Sequence, residues 1–282
     1  MSPIQPETGF IGFFDILGYT QIILNNNIHR TAEFVSDTLV NMPGSILNNL
    51  LPSEGNTAQK RWEWIGLLEK IEWIIFSDTI LLSMPFDPQL ENPDLLQHYG
   101  AFATVSASLM NRSFLAGFPL RGSISVGEFF IEERCFAGKP IISAYQVSQG
   151  LEFSGCVLDA EANNLVSQLR KDIVRRGDQE QLQMMDQTTL MYMVPMKSNS
   201  DERHRTINWV SESIPGCNAI GGDVRDATLR AFQMHNKIAI PGVQGKINNT
   251  EMFIRHVNTN VESKDWLSNP QYNDDPAEEP AV

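Results

Sequence analysis

The stretch that decides the fold is Phe13-Phe14-Asp15-Ile16-Leu17-Gly18-Tyr19-Thr20. Apart from Asp15, residues 10–16 are all apolar or glycine, and Gly18 then interrupts the run. A buried charge is costly unless it is paired or bound to a metal. The stretch therefore predicts a buried strand, residues 9–16, whose end presents Asp15 to a pocket as a metal-binding or catalytic carboxylate, or else as a strand-end cap.

A second stretch, EWIIFSDTILLSM at residues 72–84, has the same character. Two runs of β-forming residues flank Ser77-Asp78, which is the pattern of a two-residue hairpin turn. By itself this pair predicts only a turn. Together with Asp15, it predicts two strand ends that each present one carboxylate, and two carboxylates can share divalent cations bound to a triphosphate.

These stretches resemble the class III nucleotidyl cyclases. FFDILGYT at 13–20 is similar to that family's first strand, and FSDTILL at 76–82 is similar to its central hairpin, which carries the second metal-binding Asp. Two further blocks follow in family order, PLRGSISVG at 119–127 and AGKPIISA at 137–144. They resemble the next core strand and the Gly-containing loop with its helix, so the resemblance extends over residues 8 to 165.

The composition is that of a globular protein, with 42% hydrophobic and 20% charged residues. The net charge of −13 argues against DNA or RNA as a partner, because an acidic surface repels a polyanion. A nucleoside triphosphate needs only a local cationic patch. No apolar run approaches the roughly 18 residues that span a bilayer, and MSPIQPETGF lacks the pattern of a signal peptide. We therefore expect a cytoplasmic protein without a membrane segment.

The three cysteines, Cys135, Cys156 and Cys217, are widely spaced and odd in number. This spacing fits neither a disulfide framework nor a CxxC metal site. We expect three buried, apolar thiols.

Strands and helices are expected to alternate as strand, helix, hairpin, helix, strand, strand, helix. This order predicts an α+β fold of the ferredoxin-like type, with helices covering a mixed sheet, as the cyclase resemblance also implies. Helices are predicted from residue 20 to about 51 (interrupted at Pro43-Gly44), and at 94–115, 141–153, 161–174, 223–239 and 249–257. His98 is expected on the surface or flank of its helix. A charged loop is expected at 201–205, between strands at 190–194 and 206–210. The predicted regions are an N-terminal arm (1–8), a catalytic domain (9–175), a C-terminal extension packed on the core (176–258) and an acidic, disordered tail (259–282).

The resemblance implies two-metal chemistry at the ends of these strands. Asp15 and Asp78 would hold two Mg²⁺ or Mn²⁺ ions, with the main-chain carbonyl of Ile16 completing a metal shell. The ribose 3′-OH would attack the α-phosphate and expel pyrophosphate. We expect phosphate to bind to backbone amides at the start of the next helix, namely those of Leu17, Gly18, Tyr19 and Thr20.

Several positions depart from the purine-specific cyclases. Ile74 occupies the position of their base-reading Lys, and Cys135 that of their acidic or polar base reader. Ile142 and Gln146 stand where the family carries an Asn and an Arg. The cation that stabilises the transition state must then come from elsewhere, and Arg121 and Lys139 are the catalytic candidates. Alternatively, Arg121 only forms a salt bridge and Lys139 is only a surface residue.

This combination resembles the bacterial pyrimidine cyclases of the Pycsar antiphage defence system, which make a cyclic nucleotide that activates an effector. Tyr19 replaces the family's Phe and either narrows the base pocket or covers the core. UTP is the expected substrate and CTP the alternative, in a homodimer with composite active sites. A purine cyclase and a non-catalytic, regulatory cyclase-like domain are also compatible with the sequence.

Overall fold

The computed structural model describes residues 5–51, 58–132, 135–198, 200–211, 214, 217, 222–238 and 241–262. The helices are α1 (Tyr19–Asn25), α2 (Ile28–Phe34), α3 (Met42–Asn49), α4 (Ala58–Leu68), α5 (Asn92–Leu115), α6 (Lys139–Gly150), α7 (Ala160–Arg176), α8 (Gln179–Thr188), α9 (Val224–Gln233) and α10 (Pro241–Glu262), with a π-helical segment at Val35–Val40. The strands are β1 (Glu7–Ile16), β2 (Glu72–Phe76), β3 (Thr79–Pro85), β4 (Leu120–Glu132), β5 (Cys135–Gly138), β6 (Cys156–Leu158), β7 (Thr189–Pro195) and β8 (Asp201–Ile207).

One sheet joins these strands in the order β2-β3-β1-β4-β6-β8-β7, and β5 pairs with β4 outside that path. The β4–β6 pair is parallel and the other pairs are antiparallel. The expected mixed sheet covered by helices is confirmed, and it is compatible with an α+β fold. In the register of the central strand β1, Asp15 lies opposite Thr79 on β3 and opposite Arg121 on β4.

The two faces of β1 bury different apolar clusters, because side chains alternate along a strand. Phe10 and Phe14 belong to the main core, together with residues of α5 and α7. Ile11 and Phe13 belong to a smaller cluster closed by Ile141 of α6. By the same alternation, Asp15 lies on the α6 face of the sheet.

The predicted elements around the site are confirmed. Strand β1, the β2–β3 hairpin, helix α5 and the short strand β6 all occur at the predicted positions. Helix α7 ends at Gly177, which adopts the left-handed conformation expected of a helix C-cap. The long helix predicted after residue 20 is instead divided into α1, α2, the π-helical segment and α3, and the first break falls at Asn26 and Asn27.

Three predictions were wrong. His98 is buried, because α5 turns it toward the hairpin side: its Nδ1 donates to the Asp94 carbonyl and its Nε2 accepts from Lys70. The charged segment 201–205 is not a loop but part of β8, where pairing with β7 determines its conformation. Cys135 is exposed on β5, whereas Cys156 is buried and Cys217 half-buried.

The segment after residue 176 shares the sheet and the core with the part before it. Strand β8 pairs with β6, and Phe253 of α10 packs against Trp209 and Phe153 in the main core. At the N-terminus, β1 already begins at Glu7, so the expected arm is shorter than residues 1–8.

Residues 1–4 and 263–282 of the predicted arm and tail lie outside the described residues, and 259–262 end α10. Among the helices that the structure describes, none has the length and apolar composition that a membrane-spanning segment requires.

Candidate active site

Backbone hydrogen bonds bring the ends of three strands together at one place. After Asp15, the amide of Ile16 donates to the carbonyl of Asp78 over 2.9 Å, and the amide of Leu17 donates to that of Pro119, also over 2.9 Å. The end of β1 is thereby fixed to the β2–β3 turn on one side and to the start of β4 on the other. This arrangement brings the carboxylates of Asp15 and Asp78 to a common pocket.

That pocket is a cavity of about 740 Å³ beside the α6 face of the sheet. Its volume is within the range of small-molecule sites, roughly 300–1,000 Å³. The side chains that line it include two carboxylates, two phenols and three cationic groups, those of Asp15, Asp78, Tyr19, Tyr145, Arg121, Lys237 and Lys246. The cavity therefore presents charges of both signs to any ligand.

Asp15 forms an ion pair with Arg121, and the shortest distance, from a terminal guanidinium nitrogen to Oδ2, is 2.7 Å. Arg121 Nε donates to the same oxygen over 2.9 Å, and a terminal nitrogen of the guanidinium also donates to Oε1 of Gln149 on α6. Both charged side chains are largely buried, at 15% and 11% exposure. The salt-bridge interpretation of Arg121 is therefore correct, and the pair lies within the cavity itself.

The pKa of Asp15 is raised above its usual value, mainly because burial disfavours the carboxylate. The guanidinium of Arg121 opposes this shift, and the nearby negative charge of Asp78 adds to it. Burial and the Asp78 charge also raise the pKa of the Tyr19 phenol. A cation placed between Asp15 and Asp78 would relieve this repulsion.

The turn after β1 depends on Gly18, which adopts φ +82° at the start of α1. A side chain there would be strained, and an added Cβ would lie 3.0 Å from Cδ of Lys237. Of the four amides predicted to bind phosphate, that of Leu17 is already bonded to Pro119. Gly18, Tyr19 and Thr20 line the cavity, at the start of a helix of only seven residues.

Three predicted site residues lie apart from this cavity. Ile74 lies on β2 and packs against the smaller apolar cluster, next to Leu81. Cys135 is exposed on β5, and Lys139 is exposed at the first position of α6. Within the described part of the chain, none of the three lines the cavity that contains Asp15 and Asp78.

The sequence analysis missed six cavity residues with hydrogen-bonding or charged side chains, namely Gln21, Thr79, Tyr145, Gln149, Lys237 and Lys246. Tyr145 and Gln149 lie on α6, one turn beyond the positions of Ile142 and Gln146 that match the family's Asn and Arg. Lys237 and Lys246 come from the segment after residue 176, far from every motif. No local pattern marks these two lysines, since only the fold of the C-terminal segment brings them to β1.

The donor set at the strand ends fits a hard divalent cation held jointly with a substrate. Among the residues that the structure describes, no three His, Cys, Asp or Glu side chains are grouped closely enough to hold a metal by themselves. Asp15 and Asp78 provide two carboxylates, and Ile16 also lines the cavity. Mg²⁺ is commonly bound through one or two carboxylates plus substrate phosphates, so this set is sufficient if phosphate is supplied.

The lining of the cavity can therefore accommodate an anionic ligand beside two carboxylates. No protein-family model matches the sequence and no curated protein is significantly similar to it, so a functional assignment depends on the cavity and on the motifs that form it.

Proposed function

We propose that this protein is a pyrimidine nucleotide cyclase with a class III, ferredoxin-like catalytic core, which converts UTP to 3′,5′-cyclic UMP and pyrophosphate. CTP is the alternative substrate. The observation that carries the proposal is the convergence of Asp15 and Asp78, from two strand ends, in one cavity that also contains cationic side chains. The same two residues carry the cyclase motifs in the sequence.

In this proposal Asp15 and Asp78 hold two Mg²⁺ or Mn²⁺ ions, with the Ile16 carbonyl beside them. Such ions, when bound, lower the pKa of the ribose 3′-OH and neutralise charge on the leaving pyrophosphate. The 3′ oxygen forms a bond to the α-phosphorus, the bond to the β-phosphate oxygen breaks, and the hydroxyl proton passes to solvent. Arg121 contributes by favouring the ionised form of Asp15, which is the form that binds metal.

In the homodimer that the resemblance implies, the partner subunit would supply the base-reading positions to the cavity. Ile74 and Cys135 stand at these positions, and they favour a pyrimidine because they lack strong hydrogen-bonding groups. Ile74 has no hydrogen-bonding group where purine-specific cyclases carry a Lys, and Cys135 carries only a weak donor. Tyr19 and Tyr145 place phenol groups at the cavity, and Phe13 packs edge-on against Tyr145 with ring centroids 5.3 Å apart. Aromatic rings of this kind can stack against a small base.

The resemblance also implies a homodimer in which each active site is completed by the partner subunit. Large apolar side chains lie exposed near the site: Phe76 is 78% exposed and Ile142 is 58% exposed. Phe76 pairs in register with Thr79, which in turn lies opposite Asp15, so this exposed surface is continuous with the cavity. We propose that a second copy of the chain covers it. The cyclic product would then act on a downstream effector in antiviral defence within the cytoplasm.

The test is incubation of the purified protein with Mn²⁺ and, separately, ATP, GTP, CTP or UTP, with the products resolved by mass. We expect cyclic UMP from the wild type and none from Asp15→Asn or Asp78→Asn. Asp78→Asn should melt close to the wild type, whereas Asp15→Asn leaves Arg121 buried without its charged partner and should melt at a lower temperature, so Asp78→Asn is the decisive variant. Asp37→Asn, an exposed carboxylate on the π-helical segment, is the matched control and should retain turnover.

Each remaining outcome has a defined meaning. Formation of cyclic CMP would show that CTP is the substrate, and the proposed pyrimidine specificity would stand. A cyclic purine would keep the metal chemistry and refute the interpretation of Ile74 and Cys135. No product from any of the four nucleotides would refute catalysis and favour a non-catalytic, nucleotide-binding domain.

A further inference from the structure

Cationic side chains are concentrated at the candidate active site of an otherwise acidic protein. The chain has 21 Lys and Arg against 34 Asp and Glu, yet Arg121, Lys237 and Lys246 all line one cavity. Partial burial lowers the pKa of Lys197, and the positive charges of Arg121 and Lys246 lower it further, so this lysine also interacts electrostatically with the group. Arg121 and Lys246 are each paired with a carboxylate, those of Asp15 and Glu152. The described contacts of the Lys237 ammonium are instead to backbone carbonyls, which carry no formal charge.

Lys237 is held at the cavity in a defined position. The residue is 6% exposed, and its Nζ donates to the carbonyl of Gly117 and, over 3.0 Å, to that of Ala231. These carbonyls take two of the three donors of the ammonium group. The aliphatic part of the side chain lies against Gly18, directly after the strand that carries Asp15. A buried lysine is costly to keep charged, which argues for a role beyond packing.

Lys246 is held by a different set of contacts. It lies on α10, and its Nζ forms an ion pair with Glu152 at 3.1 Å, with 18% exposure of the lysine side chain. Lys246 lines the cavity, whereas Glu152 is not among the side chains that line it in the described part of the chain. Glu152 therefore orients the lysine, and the lysine presents positive charge to the cavity.

We propose that Lys237 and Lys246 form a polyphosphate-binding subsite, so that the segment after residue 176 contributes to the active site of its own chain. That this polyphosphate is the triphosphate of a nucleotide rests on the proposed function. Two carboxylates alone would repel a triphosphate. Lysines across the cavity offset that repulsion and make charge-assisted hydrogen bonds to phosphate oxygens.

The test is calorimetric titration of the full-length protein with sodium tripolyphosphate in the presence of Mg²⁺ at about pH 6, where Lys237, with its pKa lowered to about 7, is protonated. Loss of one charge-assisted hydrogen bond corresponds to about tenfold weaker binding or more. We expect Lys246→Gln and Lys237→Met each to show this loss. Lys171→Gln, an exposed lysine on α7, is the matched control and should bind like the wild type.

A charge exchange separates phosphate binding from the structural ion pair. The double variant Glu152→Lys/Lys246→Glu keeps an ion pair but moves the cation away from the cavity lining. We expect binding to stay weak in this variant, and recovery of wild-type binding would overturn the role of Lys246. If Lys237→Met does not fold, the Lys246→Gln variant and the Glu152→Lys/Lys246→Glu double variant still test whether the subsite binds polyphosphate.

The two proposals fail in different ways. Wild-type tripolyphosphate binding in all the lysine variants would overturn the subsite even if the protein makes cyclic UMP. Weakened binding in those variants, with no cyclic product from the wild type, would support the subsite and refute the cyclase.

Discussion

The burial of Lys237 predicts how the free energy of unfolding changes with pH. Burial lowers the pKa of this lysine to about 7, from the usual 10.5. In the window between these values the unfolded chain binds more protons than the folded chain, so the free energy of unfolding rises with pH. The buried ammonium is thus destabilising below about pH 7, and this penalty is relieved as the pH increases.

The size of the effect follows from proton linkage. Between about pH 7 and about pH 8.5 the unfolded lysine stays protonated while the folded one loses its proton, which gives about 1.6 kcal/mol of added stability. The carbonyls of Gly117 and Ala231 accept hydrogen bonds from the ammonium and favour the charged form, so this value is an upper bound. Lys237→Met removes the titrating group and should remove this rise.

The assay is urea denaturation followed by tryptophan fluorescence, at those two pH values, for the wild type and Lys237→Met. Other groups titrate in both proteins, including Cys156 with its raised pKa, and cancel in the comparison. Lys171→Met should keep the wild-type pH dependence. Identical pH dependence in the wild type and Lys237→Met would refute the assignment of a buried, neutralising lysine.

Three further substitutions test the surroundings of the cavity. Arg121→Met leaves Asp15 buried without its partner and should cost about 3 kcal/mol of unfolding free energy, more than Arg121→Lys, as measured by urea denaturation. Gly18→Ala should cost about 1–2 kcal/mol because of its left-handed backbone, while Gly44→Ala, with open space around it in α3, should cost nothing in the same assay. Phe76→Ser should weaken self-association in sedimentation equilibrium without lowering the melting temperature, and an unchanged dimer would contradict the proposed interface.

The strands that form the site could be predicted because their signals are local. Residues 10–16 and the EWIIFSDTILLSM hairpin each combine β-forming residues with a turn signal. By contrast, α4 and α8 were not predicted, and α4 exposes Trp62 on a helix with no clear apolar stripe. Strand β8 has the sequence DERHRTI, and only its neighbours β6 and β7 make it a strand.

The residues of the candidate site also divide into those that local sequence signals predict and those that they do not. Asp15 and Asp78 could be found because each is a carboxylate at the end of an apolar strand. Lys237 could not be found, since its environment comes from Gly18 and Gly117, which are distant in sequence. Reasoning from sequence therefore predicted the carboxylate side of the cavity and missed the lysine side, which depends on tertiary packing.

The continuity of the sheet across residue 176 bears on how this protein can evolve. Strand β6 has β4 on one side and β8 on the other, so a gene encoding only residues 9–175 would produce a sheet with an uncovered edge. It would also lack Trp209 and Phe253 from the main core. The region 9–175 is thus not a portable module that recombination could join to other domains by a simple cut at this point.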